Sequence, residues 1–116
     1  MKRGKRPIIY GDGTQRRDFI YIKDVVKANI QAIKYGKSGE AYNVGTGKSL
    51  TFNEIYKIIA EEIGFSKKPI YIKNPLRSYQ LFTQADISKA EKELRFKAKF
   101  DVRSGVRDML NLFAKI

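Results

Sequence analysis

Residues 11–24 read GDGTQRRDFIYIKD and combine turn, charge and strand signals in one short stretch. Gly11 and Gly13 can adopt the positive φ angles that tight turns need. Aromatic and β-branched residues predict one strand over 17–22, after the turn, and another over 7–10, before it. Two strands that flank a short glycine turn favour a β-hairpin, so we expect these strands to pair.

Two arginines, Arg16 and Arg17, stand at the start of the second strand. A guanidinium group is planar and offers five donors, so a pair of them suits the oxygens of a phosphate. Asp18 follows directly, and its carboxylate could hold one of the arginines in a fixed orientation. The stretch therefore predicts an anion site, with a solvated basic hairpin as an equally weighted alternative.

The composition of the 116 residues indicates one globular domain with a strongly positive charge. Lys and Arg number 24 against 12 Asp and Glu, and the formal charge of +12 should attract nucleic acid, acidic lipid or phosphorylated metabolites. Cysteine and histidine are absent, so disulfides are excluded and no metal site is expected. No hydrophobic segment follows the basic start and no apolar run approaches the roughly 18 residues of a membrane span, so we expect a cytoplasmic protein without membrane contact.

The remaining pattern predicts four helices in alternation with short strands. The helix signals are N-caps and a capping box, at Asp24 (with Gly36 after the helix end), Thr51–Glu54, Asp86 and Asp101. Besides the two strands of the hairpin, strands are predicted for residues 41–44 and 70–72. Helices and strands that alternate in this way indicate an α/β fold.

A second glycine loop, GTGKS at 45–49, looks like the end of a nucleotide-triphosphate loop. Such a P-loop needs a further glycine at the position of Tyr42, so we interpret the loop as a turn between strand and helix. Neither glycine pair is followed by the third glycine of a dinucleotide fingerprint, because Arg16 and Leu50 stand there. None of the seven tyrosines has Lys four residues later.

The stretch from Gly11 to Ala28 resembles the segment GDGxQxRDFxYVxDVVxA of the NAD-dependent epimerase/dehydratase family, whose members act on nucleotide sugars. The resemblance continues through AYNVG at 41–45, the helix at 51–64, Arg77 and ADISKA at 85–90. These proteins are extended short-chain dehydrogenase/reductases, and the chain resembles UDP-glucose 4-epimerases most. In the family this region follows a complete dinucleotide-binding domain. The resemblance therefore implies that residues 1–116 form the nucleotide-sugar-binding C-terminal domain, truncated relative to the family and lacking the Rossmann NAD domain.

The resemblance also implies substrate-binding residues. Arg17 and Arg77 would contact the diphosphate of a nucleotide sugar, with a UDP-sugar as the expected ligand, and Phe19 would lie beside the nucleotide. The family usually has an acid three residues after the second arginine to bond the ribose hydroxyls. This chain has Gln80 there, an amide that offers a donor and an acceptor but no charge. The NAD site and the catalytic Tyr-x-x-x-Lys pair belong to the other part of the family fold, so we expect no catalytic and no cofactor-binding residue here and a chain that is inactive alone.

Three hypotheses of different classes follow. The first is the substrate-binding part of a nucleotide-sugar epimerase or dehydratase. The second, which we favour less, is a basic nucleic-acid-binding module in which Phe19 and Tyr21 stack on bases beside the two arginines. The third is a subunit that docks on a separate NAD-binding chain. Truncation would expose a strand edge over 41–44 and an apolar face, so we expect either a homodimer or such a partner chain.

Overall fold

Residues 1–114, the part of the chain that this computed structural model describes, contain four α-helices and four short β-strands. The helices are α1 (Ile22–Tyr35), α2 (Phe52–Ile63), α3 (Ser88–Leu94) and α4 (Val102–Phe113). The strands are β1 (Ile8–Tyr10), β2 (Arg16–Arg17), β3 (Leu50–Thr51) and β4 (Ile70–Ile72). The α/β class and the four helices predicted from the sequence are confirmed. None of these four helices is long and apolar enough to cross a bilayer.

The predicted hairpin between β1 and β2 is wrong. β1 pairs in parallel with β4, with Ile8 opposite Ile70, whereas β2 pairs antiparallel with β3. The buried side chain of Gln15 donates from Nε2 to the Tyr10 carbonyl at 2.8 Å, so a side chain bonds a backbone group of β1 that a hairpin partner would use. The glycine turn is a real turn, but the strand that completes β1 comes from a distant segment that no local pattern reveals.

One predicted strand is shorter than expected, and another is absent. The strand over 17–22 ends at Arg17, because α1 begins at Ile22. Residues 41–44 form no strand at all. Both segments contribute side chains to the core described below, so burial explains their apolar pattern without strand pairing.

Asp24 is not the N-cap of α1. Tyr21 occupies that position without a side-chain capping bond, and Asp24 lies in the first turn of the helix. The Asp24 carboxylate is only 2% exposed and accepts hydrogen bonds of 2.9 to 3.0 Å from the N–H groups of Lys99 and Phe100. Backbone donors thus satisfy a buried charge that would otherwise be costly, and they tie α1 to the segment before α4.

The capping signals of α2 and α4 are confirmed. Thr51 Oγ1 accepts from the Glu54 N–H at 3.1 Å, and Glu54 Oε2 accepts from the Thr51 N–H at 2.7 Å. Gly64 ends α2 in the left-handed conformation, with φ of 66°. Asp101 accepts from the Ser104 N–H at 2.7 Å, and this bond is the largest of the effects that hold the pKa of the Asp101 carboxyl below its usual value.

The ends of the other two helices differ from the predictions. Ile87 occupies the N-cap position of α3, and Asp86 stands one residue further out, where its carboxylate accepts from the N–H of Ser88 at 3.0 Å. Gly36 follows α1 with φ of −65°, so it does not provide the left-handed cap that glycine usually offers. A short local motif therefore identifies a helix better than it identifies the terminal residue.

The apolar core lies between α1 and α3. Its fully buried members are Ala28, Ala90, Leu94 and Phe96, and the partly buried residues packed against them are Ile20, Ala32, Tyr42, Val44 and Ala98. Small alanines on both helices allow them to approach closely, while Leu94 and Phe96 supply the large buried surface.

α2 and α4 are joined by charge as well as by apolar contact. Arg103 binds Glu61 at 2.5 Å and Glu62 at 2.6 Å, and Arg107 binds Glu62 at 2.7 Å. The hydrogen bonds from Arg107 and then Arg103 lower the pKa of the Glu62 carboxyl below its usual value. A cavity of about 310 Å³, lined almost wholly by apolar side chains, remains between these helices.

Candidate functional site

Arg17 ends β2 and reaches the loop between β4 and α3. Its Nη1 donates to the Arg16 carbonyl at 2.7 Å, and its Nη2 donates to the carbonyl of Gln80. The guanidinium lies over the ring of Tyr79, with its carbon 5.2 Å from the ring centroid. The structure therefore brings together two segments that are far apart in sequence, and both of them carry predicted site residues.

Arg16 has a structural position and does not form a phosphate-binding pair with its neighbour. Its Nε donates to Ser49 Oγ at 3.1 Å and its Nη2 to the Ser49 carbonyl at 2.7 Å. Its backbone N–H donates to the Leu81 carbonyl at 2.8 Å, and its carbonyl accepts from the Thr83 N–H at 3.1 Å. The two adjacent guanidinium groups thus serve different segments, and the backbone bonds of Arg16 hold the loop against β2.

The hypothesis that Asp18 holds an arginine is wrong. Its carboxylate accepts from the N–H and hydroxyl of Thr46, at 2.9 and 2.6 Å, and from the N–H of Gly47 at 2.9 Å. A further bond of 3.3 Å comes from the N–H of Ala85. A Cβ on Gly45 would lie 2.6 Å from the Ala85 side chain and 2.7 Å from Asp18 Oδ2, so only glycine fits there. Asp18 thereby fastens the glycine loop to the start of the segment before α3.

Both glycine loops are occupied by the protein's own groups and do not fit the pyrophosphate of a dinucleotide. In the 45–49 loop the amides point at Asp18, and β3 separates the loop from α2, so no helix N-terminus stands behind it. In the first loop, a Cβ on Gly13 would lie 2.1 Å from Asn53 Oδ1. These residues do not fit NAD.

Phe19 packs against the first residue of α2. Its ring meets Phe52 edge-on, with 5.8 Å between centroids, and it lines the cavity between α2 and α4. It also lines a second cavity of about 350 Å³ with Leu50 and Phe100. The structure thus places Phe19 mainly as a packing residue.

The other aromatic residue of the nucleic-acid hypothesis is also packed. The Tyr21 ring lies 4.9 Å from that of Phe100, and its hydroxyl donates to Asp108 Oδ2 at 2.6 Å. This hydrogen bond raises the pKa of the Tyr21 hydroxyl. Phe19 and Tyr21 are both half-buried, and each packs against another ring.

Arg77 and Gln80 both lie in the loop between β4 and α3, and both are exposed. Gln80 meets Arg17 through its backbone carbonyl, so this contact leaves the amide of its side chain uninvolved. Arg77 makes no hydrogen bond and no ion pair with other residues in the 1–114 range. Of the two predicted diphosphate ligands, one is therefore anchored and the other projects from an exposed loop.

A groove of about 310 Å³ opens on the β1–β4 sheet beside the ring on which Arg17 lies. Its lining is apolar and aromatic apart from one amide: Ile8, Ile9, Tyr10, Gln15, Phe52, Ile72 and Tyr79. A slot with apolar and aromatic walls next to a guanidinium suits a ligand that joins a flat base to a phosphate. Sequence reasoning missed Tyr79, because an aromatic residue in a polar loop has no local signal that distinguishes it. No cluster of His, Cys, Asp or Glu in the described residues is suited to a metal ion.

Comparisons with known proteins agree with this fold. The sequence model of the NAD dependent epimerase/dehydratase family matches residues 1–45. A putative UDP-glucose 4-epimerase from Methanocaldococcus jannaschii is 41% identical over 96% of this chain and 35% of its own length. The chain belongs to the NAD-dependent epimerase/dehydratase family. It spans about a third of the length of the family members that it matches.

Solved structures of family members share the fold. A crystal structure of UDP-glucose 4-epimerase from Thermotoga maritima, with UDP-glucose, superposes with a TM-score of 0.91 at 35% identity. It is matched over 99% of this chain and 37% of its own. A Helicobacter pylori ADP-L-glycero-D-manno-heptose-6-epimerase gives a TM-score of 0.81 at 38% identity, over 96% of this chain and 33% of its own. The names of these family members differ in both nucleotide and sugar.

Proposed function

We propose that this chain is the C-terminal, nucleotide-sugar-binding part of a UDP-glucose 4-epimerase-like protein, with residues 1–116 forming one domain. The observation that carries the proposal is the convergence of Arg17 with Tyr79 and Gln80, which sets the anchored arginine beside the loop that bears Arg77. The groove that Tyr79 lines would take the nucleoside, and the arginines would take the diphosphate. The expected cytoplasmic location stays a prediction from the sequence.

The diphosphate has two possible ligands with different roles. Arg17 already bonds two carbonyls, so an arriving phosphate would find a guanidinium that is held in place. Arg77 would bring a second charge from the exposed loop. Each charge-assisted hydrogen bond contributes about 1.5 to 3 kcal/mol where water is partly excluded. The Gln80 amide would face the ribose with less strength than a carboxylate, which leaves the identity of the nucleotide base open.

Affinity for UDP-glucose in a calorimetric titration tests this proposal. We expect a dissociation constant of about 0.1 to 1 mM, because only part of the family's cleft is present. Arg17→Ala and Arg77→Ala should each weaken binding about tenfold, which corresponds to about 1.4 kcal/mol. Lys73→Ala, the matched control, removes a neighbouring positive charge and should change the affinity less than about twofold. Binding that neither arginine substitution alters would show that the assigned diphosphate site is wrong.

The isolated chain should not turn over UDP-glucose. The glycine loops do not fit NAD, and the chain has no Tyr-x-x-x-Lys pair, so hydride transfer has neither cofactor nor acid/base group. Conversion of UDP-glucose to UDP-galactose by the purified chain with added NAD, above a control without protein, would overturn this part of the proposal.

The exposed face of α1 supports a partner, either a second copy or a separate NAD-binding chain. Four apolar residues spaced along α1 are 48 to 86% exposed: Ile22, Val26, Ile30 and Ile33. A continuous apolar stripe of this kind favours association. Light scattering at increasing protein concentration, in about 0.5 M salt to screen the charge of +12, should show a dimer. A mass that stays monomeric up to high micromolar protein would exclude self-association and leave the separate chain as the partner.

A further inference from the structure

Two segments, residues 1–11 and 63–85, contain none of the protein's 12 acidic residues. The same segments hold eight of its 24 Lys and Arg residues, so they carry most of the net charge of +12. This asymmetry is hidden in the sequence, because the two segments are separated by α1 and α2.

The structure joins these two segments into one surface. β1 and β4 pair along their length, and Arg6 donates from Nε to the Lys68 carbonyl at 2.6 Å and from Nη2 to the Pro69 carbonyl at 3.1 Å. Lys67 Nζ donates to the Gly4 carbonyl at 3.2 Å. We call six exposed cations of this surface the basic strip: Lys2, Arg3, Lys5, Lys67, Lys68 and Lys73. Arg6, whose guanidinium bonds the backbone, and Arg77, in the loop after β4, are not counted in it.

The positive charge of the basic strip is uncompensated. None of its six side chains forms an ion pair with any residue of the 1–114 segment. Glu62, which lines the same surface pocket as Lys2, is bound by Arg103 and Arg107. Lys68 and Lys73 flank β4 and stand about 16 Å apart along an extended chain at roughly 3.3 Å per residue. A single phosphate group cannot reach both, whereas a polymer of phosphates can.

An exposed aromatic ring lies on β4, between Lys68 and Lys73. Tyr71 is 48% exposed and stands two residues before Lys73, and its hydroxyl donates to Asn53 Oδ1 at 2.8 Å. That hydrogen bond restrains the ring. A ring next to cations that follow a phosphate backbone is the usual platform for an unpaired base, and it distinguishes a nucleic acid from other polyanions.

We propose that the basic strip binds single-stranded nucleic acid, with phosphates on the cations and one base stacked on Tyr71. This surface differs from both the Arg17 region and the sugar-nucleotide groove. Neither Tyr71 nor any of the six cations lines the groove, although Ile9, the β1 partner of Tyr71, does. The activity goes beyond nucleotide-sugar binding and does not depend on it.

The test measures the fluorescence anisotropy of a labelled 15-nucleotide oligothymidylate at salt concentrations from about 50 to 300 mM. The strip variant carries Lys2→Gln, Arg3→Gln, Lys5→Gln and Lys68→Gln, and it retains Arg6 and Lys67, which hold the backbone. The matched control carries Lys27→Gln, Lys34→Gln, Lys48→Gln and Lys92→Gln, exposed residues that lie elsewhere. Both variants lose four positive charges, so a difference between their affinities reports the position of the charges and not the net charge of the protein.

We expect the strip variant to bind at least about tenfold more weakly at 100 mM salt and to lose about 3 units of the slope of log K against log salt, at about 0.7 per phosphate. The control should stay within about threefold of the wild type, and Tyr71→Leu should weaken binding about fivefold with an unchanged slope. Equal losses in the two charge variants would overturn the proposal, and so would the absence of binding at 50 mM salt. Equal affinity for inorganic polyphosphate of the same charge, or no effect of Tyr71→Leu, would overturn the assignment to nucleic acid. UDP-glucose titrations of the same proteins keep this result separate from the sugar-nucleotide proposal, since Arg17 and Arg77 are untouched.

Discussion

The two segments that supply the proposed diphosphate ligands are held in different ways. Around Arg17, the neighbouring Arg16 and Asp18 each bond backbone or side-chain groups of distant segments, and Arg17 itself bonds two carbonyls. Around Arg77, the loop is exposed, and within the described residues its contacts with the rest of the protein lie near its later end, from Tyr79 to Ala85. Arg17 is thus held in place by the fold, whereas Arg77 projects from an exposed loop.

Binding and stability are divided between the two arginines. A side chain that bonds the protein's own backbone contributes to folding whether or not a ligand is present. An exposed side chain without such bonds contributes only when the ligand arrives. The same chemical group therefore has two functions, and substitutions can separate them.

The largest effect should come from Asp18, because four hydrogen bonds converge on its carboxylate. Asp18→Ala would leave the Thr46 and Gly47 amides without an acceptor and should lower the free energy of unfolding by about 2 to 4 kcal/mol. Urea denaturation followed by circular dichroism measures this change in the free energy of unfolding. Asp86→Ala, the control, removes an exposed carboxylate that bonds only Ser88 and should cost at most about 1 kcal/mol. Similar losses from both substitutions would contradict the anchoring role of Asp18.

Substitution of the two arginines should affect the free energy of unfolding differently, although both side chains contribute to binding. Arg17→Ala removes bonds to the carbonyls of Arg16 and Gln80 and the contact with Tyr79, and should destabilise the protein by about 1 to 2 kcal/mol. Arg77→Ala should change the free energy of unfolding by less than about 0.5 kcal/mol. The same denaturation experiment compares them. If Arg77→Ala were the more destabilising substitution, the division of roles would be reversed.

Acid should weaken the contacts that Glu62 and Asp101 make at α2 and α4. The pKa of Glu62 is lowered in the folded protein from its usual 4.5, chiefly by hydrogen bonds from Arg107 and Arg103, and that of Asp101 from 3.8, chiefly by the Ser104 N–H. A carboxyl with a lowered folded pKa contributes stability above the unfolded value, and this contribution is lost as the pH falls through the folded pKa. Melting temperatures should therefore hardly change from pH 7 to about 5 and fall below about 4.5. Glu62→Gln should flatten that fall, and an equally steep fall in the variant would exclude Glu62 as its source.

The predictions from sequence succeeded where the signal is local and failed where the partner is distant. Thr51 with Glu54, and Asp101 with Ser104, are capping pairs within one turn, and the structure contains both. Asp24, an acidic residue near a helix start, suggested an N-cap. Its carboxylate instead accepts hydrogen bonds from Lys99 and Phe100, in a segment that is distant in sequence. The pairing of β1 with β4 joins segments on either side of α1 and α2, which no periodicity specifies.

The candidate site follows the same rule. Arg17, Arg77 and Gln80 could be named from the sequence because they match a family motif. Tyr79 could not, because its role depends on the guanidinium that lies over it. Phe19 matches the motif, and its ring packs edge-on against Phe52, which itself lines the groove on the β1–β4 sheet.

Nucleotide-sugar binding at Arg17 and Arg77 can be tested without any substitution, because amide chemical-shift changes during titration with UDP-glucose locate the ligand. We expect the largest changes at residues 15–17 and 76–81 and in the β1–β4 groove, with little change at residues 2–5 and 67–68 of the basic strip. Saturable changes confined to the basic strip, or no saturable change at any residue up to about 10 mM ligand, would contradict nucleotide-sugar binding at Arg17 and Arg77.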